Sequence, residues 1–281
     1  MNDKIFPKHP KTSFIIRTFN EQKWLPTLLQ SLFSQSRLDF EIIIVDSGST
    51  DKTLEVIQQF PIRKIIKISK KSFNYAYALN LGINSSWGEM IGIISGHSIP
   101  VSRTWYEDGL SNFSYKKIAA ITGYTMPLPD ASYDERLQSL HIGSLFTYFD
   151  KNTKFMSNTN AIIRRSLWEK YPFDERITKG IKKYDYATEG CEDYDWAQEM
   201  ISRGFRIVKD PNFNVYHSHG GLNRDKYSQR IDRWNKICSL IDQKKRPSSS
   251  SYTEIKLITK NSQCSPKKIK SRVKYFLKQL I

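Results

Sequence analysis

Apolar residues in this chain come in short unbroken runs that end on polar residues, and these runs alternate with stretches of helical period. Ser13 to Arg17 is one such run, passing into Thr18-Phe19-Asn20-Glu21. Ile42 to Val45 is another, ending on Asp46 and followed by Ser47-Gly48-Ser49-Thr50. Continuous β-branched runs of this length predict central parallel strands covered on both faces. Between them the pattern predicts a helix from about Trp24 to Ser34, and Met90 to Ile94 predicts a further strand ending in Ser95-Gly96-His97-Ser98. The alternation predicts an α/β fold, a Rossmann-like, mostly parallel central sheet flanked by helices. In such sheets ligands bind beyond the carboxyl ends of the strands. Asp46 and the loop from Thr18 to Glu21 fall at two such ends. The turn after Asp46 offers backbone N–H groups, with Ser49 or Thr50 as helix cap, and an Asp in this position serves a ligand or a cap equally well.

The second half carries further elements. Asn158-Thr159-Asn160 opens a strand that leads to a helix start at Arg165 to Trp168, and Asn214-Val215 predicts a strand running into Tyr216-His217-Ser218-His219. Glu189-Gly190-Cys191-Glu192-Asp193-Tyr194-Asp195-Trp196 opens a helix reaching about Arg203. Trp196, Met200 and Ile201 face the core from it, and the acids stand in its first turn. Asp195 reads there as a partner of the helix dipole. Asp130 to Asp150 reads as a helical insertion and Tyr184 to Thr188 as a polar loop before the acids.

Composition narrows the class. A chain of 281 residues, 39% hydrophobic and 13% aromatic, holds one large α/β domain and is not disordered as a whole. No apolar run approaches the roughly 18 residues of a membrane span, and the N-terminus lacks an apolar signal core, so the cytoplasm is the expected compartment. Cys191, Cys238 and Cys264 are too scattered for a disulfide framework and read as free thiols. The net charge of +16 is concentrated: residues 222–281 hold 16 Lys and Arg against 4 Asp and Glu, a balance of +12, leaving +4 for residues 1–221. Pro247 and Ser248 to Ser251 read as a linker, followed by a basic amphipathic helix over about 266–281. Such a helix fits an anionic membrane surface. Docking of its apolar stripe on the protein's own body and a merely solvated basic face are the competing readings. No nucleic-acid module is recognisable, and no nucleic-acid partner is expected.

Taken together, the segments RTFNE (17–21), VDSGSTD (45–51) and FNYAYALNLGINSSWGEMIGIIS (73–95) resemble, in order, the family 2 glycosyltransferases. The resemblance extends over about residues 12–220. It implies a GT-A fold over residues 1–221, with a nucleotide-sugar half at about 12–100, an acceptor half at about 101–221, and a basic helical C-terminal extension over 222–281. It implies an inverting transfer from a nucleotide-diphosphate sugar to a glycan or lipid-linked saccharide, as in cell-surface polysaccharide synthesis. Thr18, Asn20, Glu21, Asp46, Ser47, Asn80, Ser95 and His97 become the implied donor-binding set, with Asn160 beside sugar or acceptor and Asp51 capping the following helix or supporting the turn. The Glu192-Asp193 pair matches the family's acids, which makes Asp193 the base that takes the acceptor proton and Glu192 its orienting neighbour or substitute. The family's Asp-x-Asp, which holds Mn²⁺ or Mg²⁺, is replaced here by Ser95-Gly96-His97. That change weighs against Mg²⁺, and it leaves His97, His217 and His219 as candidate ligands of a transition ion or a metal-free role for His97. A scaffold with GT-A fold and lost catalysis is the alternative that this departure motivates.

Overall fold

The structure is a computed structural model, and it describes residues 7–136, 149–176, 190–219, 224–244 and 246. In chain order the elements are β1 (Thr12–Thr18), α1 (Leu25–Phe33), β2 (Phe40–Asp46), α2 (Thr53–Gln58), β3 (Lys64–Lys67), α3 (Tyr75–Asn84), β4 (Met90–Ser95), β5 (Ile99–Pro100), α4 (Trp105–Ser111), β6 (Ile118–Thr122), β7 (Thr125–Met126), β8 (Asp150–Thr153), β9 (Asn160–Arg164), α5 (Arg165–Trp168), α6 (Glu192–Ser202), β10 (Arg206–Lys209), β11 (Val215–Tyr216) and α7 (Arg224–Asp242).

The main sheet has eight strands in the order β3-β2-β1-β4-β9-β6-β10-β8. The pairs β3/β2, β2/β1, β1/β4 and β10/β6 are parallel, while β9 runs against both β4 and β6 and β8 runs against β10. Six strands therefore point one way and two the other, as the unbroken apolar runs predict for a mostly parallel sheet. The chain order reverses between β1 and β4, and a crevice opens at such a switch point. A small sheet, β5-β11-β7, carries the strand expected at Asn214-Val215 away from the main sheet.

Successive residues of the central strands feed opposite cores. Phe14, Ile16, Ile42 and Ile44 pack with Leu25, Leu28, Leu29 and Leu32 of α1. Ile15, Ile43 and Val45 pack on the other side with Ala76, Ala78, Leu79 and Ile83 of α3 and with Trp196, Ala197 and Met200 of α6. This is why β1 and β2 show no polar alternation: both faces are covered. Each fully buried Leu contributes about 2 kcal/mol of apolar transfer.

Local chemistry sets the helix starts, and one of them differs from expectation. Neither Ser49 nor Thr50 caps α2. That helix begins at Thr53, whose N–H donates to Asp51 Oδ1 at 2.9 Å, while the second Asp51 oxygen takes the Gln22 N–H at 3.1 Å. Asn74 caps α3 by accepting from Tyr77 N at 3.0 Å. Residues 133–136 are helical at the expected start of the 130–150 insertion; residues 137–148, the loop 184–188, the serine linker, Cys264 and the 266–281 helix lie outside the described residues. Cys191 and Cys238 are buried thiols without a disulfide.

Asp195 is not an exposed dipole partner. It has no solvent exposure and accepts from Tyr171 Oη at 2.9 Å, Lys244 Nζ at 2.8 Å and Arg246 Nη2 at 2.7 Å, while Arg246 Nη1 donates to Glu199 Oε2 at 2.9 Å. Cations that follow α7 are thus tied to the helix that begins with Glu192-Asp193. Removing one partner of a buried ion network strands the others without solvation. Arg246→Ala is expected to lower unfolding free energy by about 3 kcal/mol, read from urea midpoints. A loss below about 1 kcal/mol, the scale of surface pairs, would mean the clamp is not a buried network.

Candidate active site

The carboxyl ends of β1, β2 and β4 lie side by side, since Thr18 pairs with Asp46 and Arg17 with Ser95. Their loops are laced together. Asp46, 1% exposed, accepts from Thr18 Oγ1 at 3.0 Å, Ser49 N at 2.9 Å and Gly48 N at 3.1 Å, and also from Ser49 Oγ. Gly48 takes a positive φ of 87°, which lets this turn fold back on its own aspartate. Asn20, also left-handed at φ 56°, accepts from Thr50 N at 2.8 Å and donates its N–H to Ser49 Oγ at 2.9 Å. Asn tolerates that conformation through its short polar side chain.

These bonds sort the implied donor set. Thr18, Glu21, Ser47, Ser95 and His97 line a cavity of about 480 Å³, within the range of small-molecule sites. Asp46 and Asn20 do not line it; they hold the loops that do. Asn80 is placed elsewhere: its amide donates to the Phe173 carbonyl at 2.9 Å and Glu175 Oε1 at 2.8 Å and accepts from Trp168 Nε1 at 3.1 Å, bracing α3 against the segment after β9. Asn160 also stays outside the lining, with Nδ2 donating to the Phe213 carbonyl and Oδ1 buried without a partner.

The opposite wall comes from the loop before β9 and from the start of α6: Ser157, Asn158, Thr159, Gly190, Glu192 and Asp193. Glu192 is 4% exposed and accepts from Asn158 Nδ2 at 2.9 Å and Arg17 Nη1 at 3.4 Å. Arg17 in turn lies 4.7 Å over the Tyr75 ring. Asp193 accepts from Asn158 N at 3.0 Å and Tyr194 N at 2.8 Å. Burial and the adjacent Glu192 carboxylate push Asp193 up to about 7, against the opposing pull of those N–H bonds and of Arg17. Arg17 and Asn158 carry no signal in the sequence as site residues; only folding brings them to a pair of acids some 175 positions away in Arg17's case.

Three histidines converge on the same cavity. One ring nitrogen from each of His97, His217 and His219 lies within 4.8 Å of the others. The Glu21 carboxylate sits 2.7 Å from His97 Nδ1, which fixes the proton there and turns the Nε2 lone pair inward, where it is buried with no hydrogen-bond partner. Ser98 Oγ is 2.9 Å from His217 Nδ1, and Nε2 of His217 lies 3.3 Å from Nε2 of His219. That last spacing matches the roughly 3.3 Å between nitrogens that share an ion at bonds of about 2.0–2.1 Å. Both His217 and His219 line the cavity. Imidazole nitrogens suit transition ions such as Zn²⁺ better than Mg²⁺, which prefers oxygen.

α7 supplies the last wall. The basic C-terminal extension expected over 222–281 begins with this helix, and its Trp234 lines the cavity. Ile237, Cys238 and Ile241 of α7 pack with Cys191 and Tyr194 at the start of α6. A tryptophan within so charged a helix is the one mark in the sequence that sets this position apart.

The profile described as Glycosyl transferase family 2 matches residues 13–172. The O-antigen chain rhamnosyltransferase RfbN of Salmonella typhimurium is 25% identical over 237 residues, covering 79% of this chain and 71% of that protein. A dolichyl N-acetyl-glucosaminyl phosphate diacetamido-dideoxy-glucuronosyltransferase of Methanococcus voltae is 26% identical over 233 residues, 75% of this chain and 68% of the relative. Among solved structures, the mannosyltransferase PcManGT of Pyrobaculum calidifontis with GDP-Man and Mn²⁺ aligns at TM-score 0.61 and 18% identity, over 85% of this chain and 66% of that one. TarS of Staphylococcus aureus with UDP-GlcNAc aligns at TM-score 0.59 and 16% identity, over 82% and 65%. These two show that the fold is GT-A.

The cluster predicts its own metal preference. Isothermal titration should show Mn²⁺ or Zn²⁺ binding that is lost in His97→Ala and weakened about tenfold in Glu21→Gln, the usual scale for an orienting partner of a ligand. Mg²⁺ binding of equal strength would rule out the imidazole set as the holder.

Proposed function

The chain belongs to glycosyl transferase family 2 and is a glycosyltransferase, and we propose that it inverts the anomeric centre of a nucleotide-diphosphate sugar, passing it to a glycan or lipid-linked saccharide in cell-surface polysaccharide synthesis. The observation that carries this reading is the Asp193 carboxyl, raised to about 7, on the wall of a cavity whose other wall is three strand ends. Relatives named as O-antigen rhamnosyltransferases support the polysaccharide setting. Thr18, Glu21, Ser47, Ser95 and His97 make the donor end, shaped by Asn20 and Asp46. The nucleotide-sugar half is residues 12–100 and the acceptor half begins at about 101.

Inversion in one displacement needs one base. Asp193 takes the proton of the acceptor hydroxyl as that oxygen attacks the anomeric carbon, and a base with a pKa close to the working pH combines availability with driving force. Glu192, fixed by Arg17 and Asn158, cannot turn to the acceptor without breaking both bonds; it serves by keeping Asp193 basic. Backbone N–H bonds from residues 158 and 194 fix the carboxylate plane, leaving lone pairs for the acceptor. His97, His217 and His219 would hold a divalent ion, and such an ion, when bound, neutralises the diphosphate that leaves. Glu21 and Ser98 orient two of these rings through their Nδ1 atoms.

No helix among the described residues is long and apolar enough to cross a membrane. The protein is proposed to work on the cytoplasmic side, with the +12 segment over 222–281 holding it to anionic lipid. Co-sedimentation should recover it with anionic but not neutral vesicles, and far less at high salt, where screening shortens the reach of charge. Equal recovery on both vesicles would remove the lipid role.

Donor turnover across a panel of nucleotide sugars, with Mn²⁺, Mg²⁺ or EDTA, tests the activity itself; binding of no donor in any condition would favour a scaffold. Asp193→Asn is expected to fold and to lose about 10²–10⁴-fold in kcat. The base acts deprotonated, so kcat should fall about tenfold per pH unit below an apparent pKa near 7 and level off above it. Glu192→Gln removes the negative neighbour that raises Asp193, so this limb should move to lower pH. A limb that stays in place would assign it to another group.

A further inference from the structure

Beside Asp193 stands a group of aromatic side chains for which the transfer chemistry gives no use. Phe155 stacks on Tyr194 with centroids 5.5 Å apart and planes 26° from parallel. Trp234 lies 5.9 Å from each of them, so the three rings form one continuous shelf contributed by the loop after β8, by α6 and by α7. Its parts are not equally buried. Tyr194 is 8% exposed and anchored by its hydroxyl, which donates to Asp242 Oδ1 at 2.8 Å. Phe155 is 51% exposed, and Trp234 lines the cavity. A half-exposed phenylalanine held by two other rings, one of which lines the cavity, keeps an apolar face toward water, as interaction sites do.

Its position identifies the occupant. Tyr194 follows the base directly, and Phe155 precedes Ser157 and Asn158, which line the cavity on the base's side. The donor end is built by other elements, the loops after β1, β2 and β4. A pyranose ring presents an apolar C–H face and a polar hydroxyl rim. Laid on the exposed face of one such ring, it buries the first and leaves the second for carboxylates and amides such as Asp193 and Asn158. We propose that Trp234, Phe155 and Tyr194 form the acceptor subsite, on which a pyranose ring of the acceptor saccharide stacks with a hydroxyl toward Asp193. The subsite rests on the transferase reading above, and it makes α7 part of the acceptor machinery. Tyr194 supports the shelf, while Trp234 and Phe155 touch the sugar.

The test is saturation-transfer NMR with the methyl glycosides of glucose, galactose, rhamnose and N-acetylglucosamine, and separately with a panel of nucleotide sugars, on the wild-type protein, Trp234→Ala, Phe155→Ala and Trp234→Phe. At least one glycoside should receive saturation on its ring C–H protons. That signal should drop about threefold to tenfold in both alanine variants, the range of a single aromatic contact, and persist in Trp234→Phe. Trp234→Leu replaces Trp234→Ala if the latter shows no cooperative melting. Glycoside signals equal in wild type and Trp234→Ala would overturn the subsite, as would a loss confined to the nucleotide sugar, which would make the shelf a nucleobase platform. Donor binding without any glycoside binding would overturn it as well. Glycoside binding without donor binding would uphold the shelf and overturn the transferase reading instead, and binding of neither would overturn both.

Discussion

Two adjacent carboxylates at the start of one helix cannot both be carried into a protein wall as fully stabilised anions, and the site is organised around that conflict. The helix dipole favours negative charge at the start of α6 but cannot settle both groups at once. Arg17 and Asn158 hold Glu192, 4% exposed, with a cation and an amide. Asp193 keeps only N–H donors from the backbone and bears the repulsion of its neighbour. The two carboxyls thus stand side by side in unlike surroundings, one held by side chains and the other by the backbone. Since Arg17 is the penultimate residue of β1 and Asn158 precedes β9, this arrangement exists only when both halves of the sheet are assembled.

The same logic of a fixed partner recurs in the histidine cluster. An imidazole alone is ambiguous about which nitrogen carries its proton, and a carboxylate on one nitrogen removes the ambiguity at the other. Glu21 does this for His97, and the Ser98 hydroxyl holds His217. The orphaned Nε2 of His97 then stands out, because a buried polar atom without a partner is costly unless something binds there. Replacing two acids by this nitrogen set changes which ions suit the site and leaves its location at the end of β4 as it is.

Holding α6 in place falls partly to residues beyond the sheet. Lys244 and Arg246 reach Asp195 and Glu199, and α7 packs its apolar side on Cys191 and Tyr194. The beginning of the basic segment is thereby a wall of the cavity as well as a carrier of charge.

The strands, their parallel sense and the crevice at their carboxyl ends were legible because a strand covered on both faces must be apolar throughout, and β1, β2 and β4 are. Local rules likewise located the Glu192-Asp193 helix start and the histidine-bearing strand ends. What the sequence could not express is direction and partnership at long range. Nothing local distinguishes Asp46, spent on its own turn, from Glu21, which reaches His97; nor Asn80, a brace beneath Trp168, from Asn158, a ligand of two acids. Asp195 looks like any acid in a first turn until a cation from beyond α7 is folded against it. Residue chemistry and period are written in the chain itself, so the sequence determined the elements, the fold and the kind of groups available. Which of those groups face the cavity, and which partners hold each carboxylate, depends on neighbours up to 175 residues apart, and only the tertiary structure decided it.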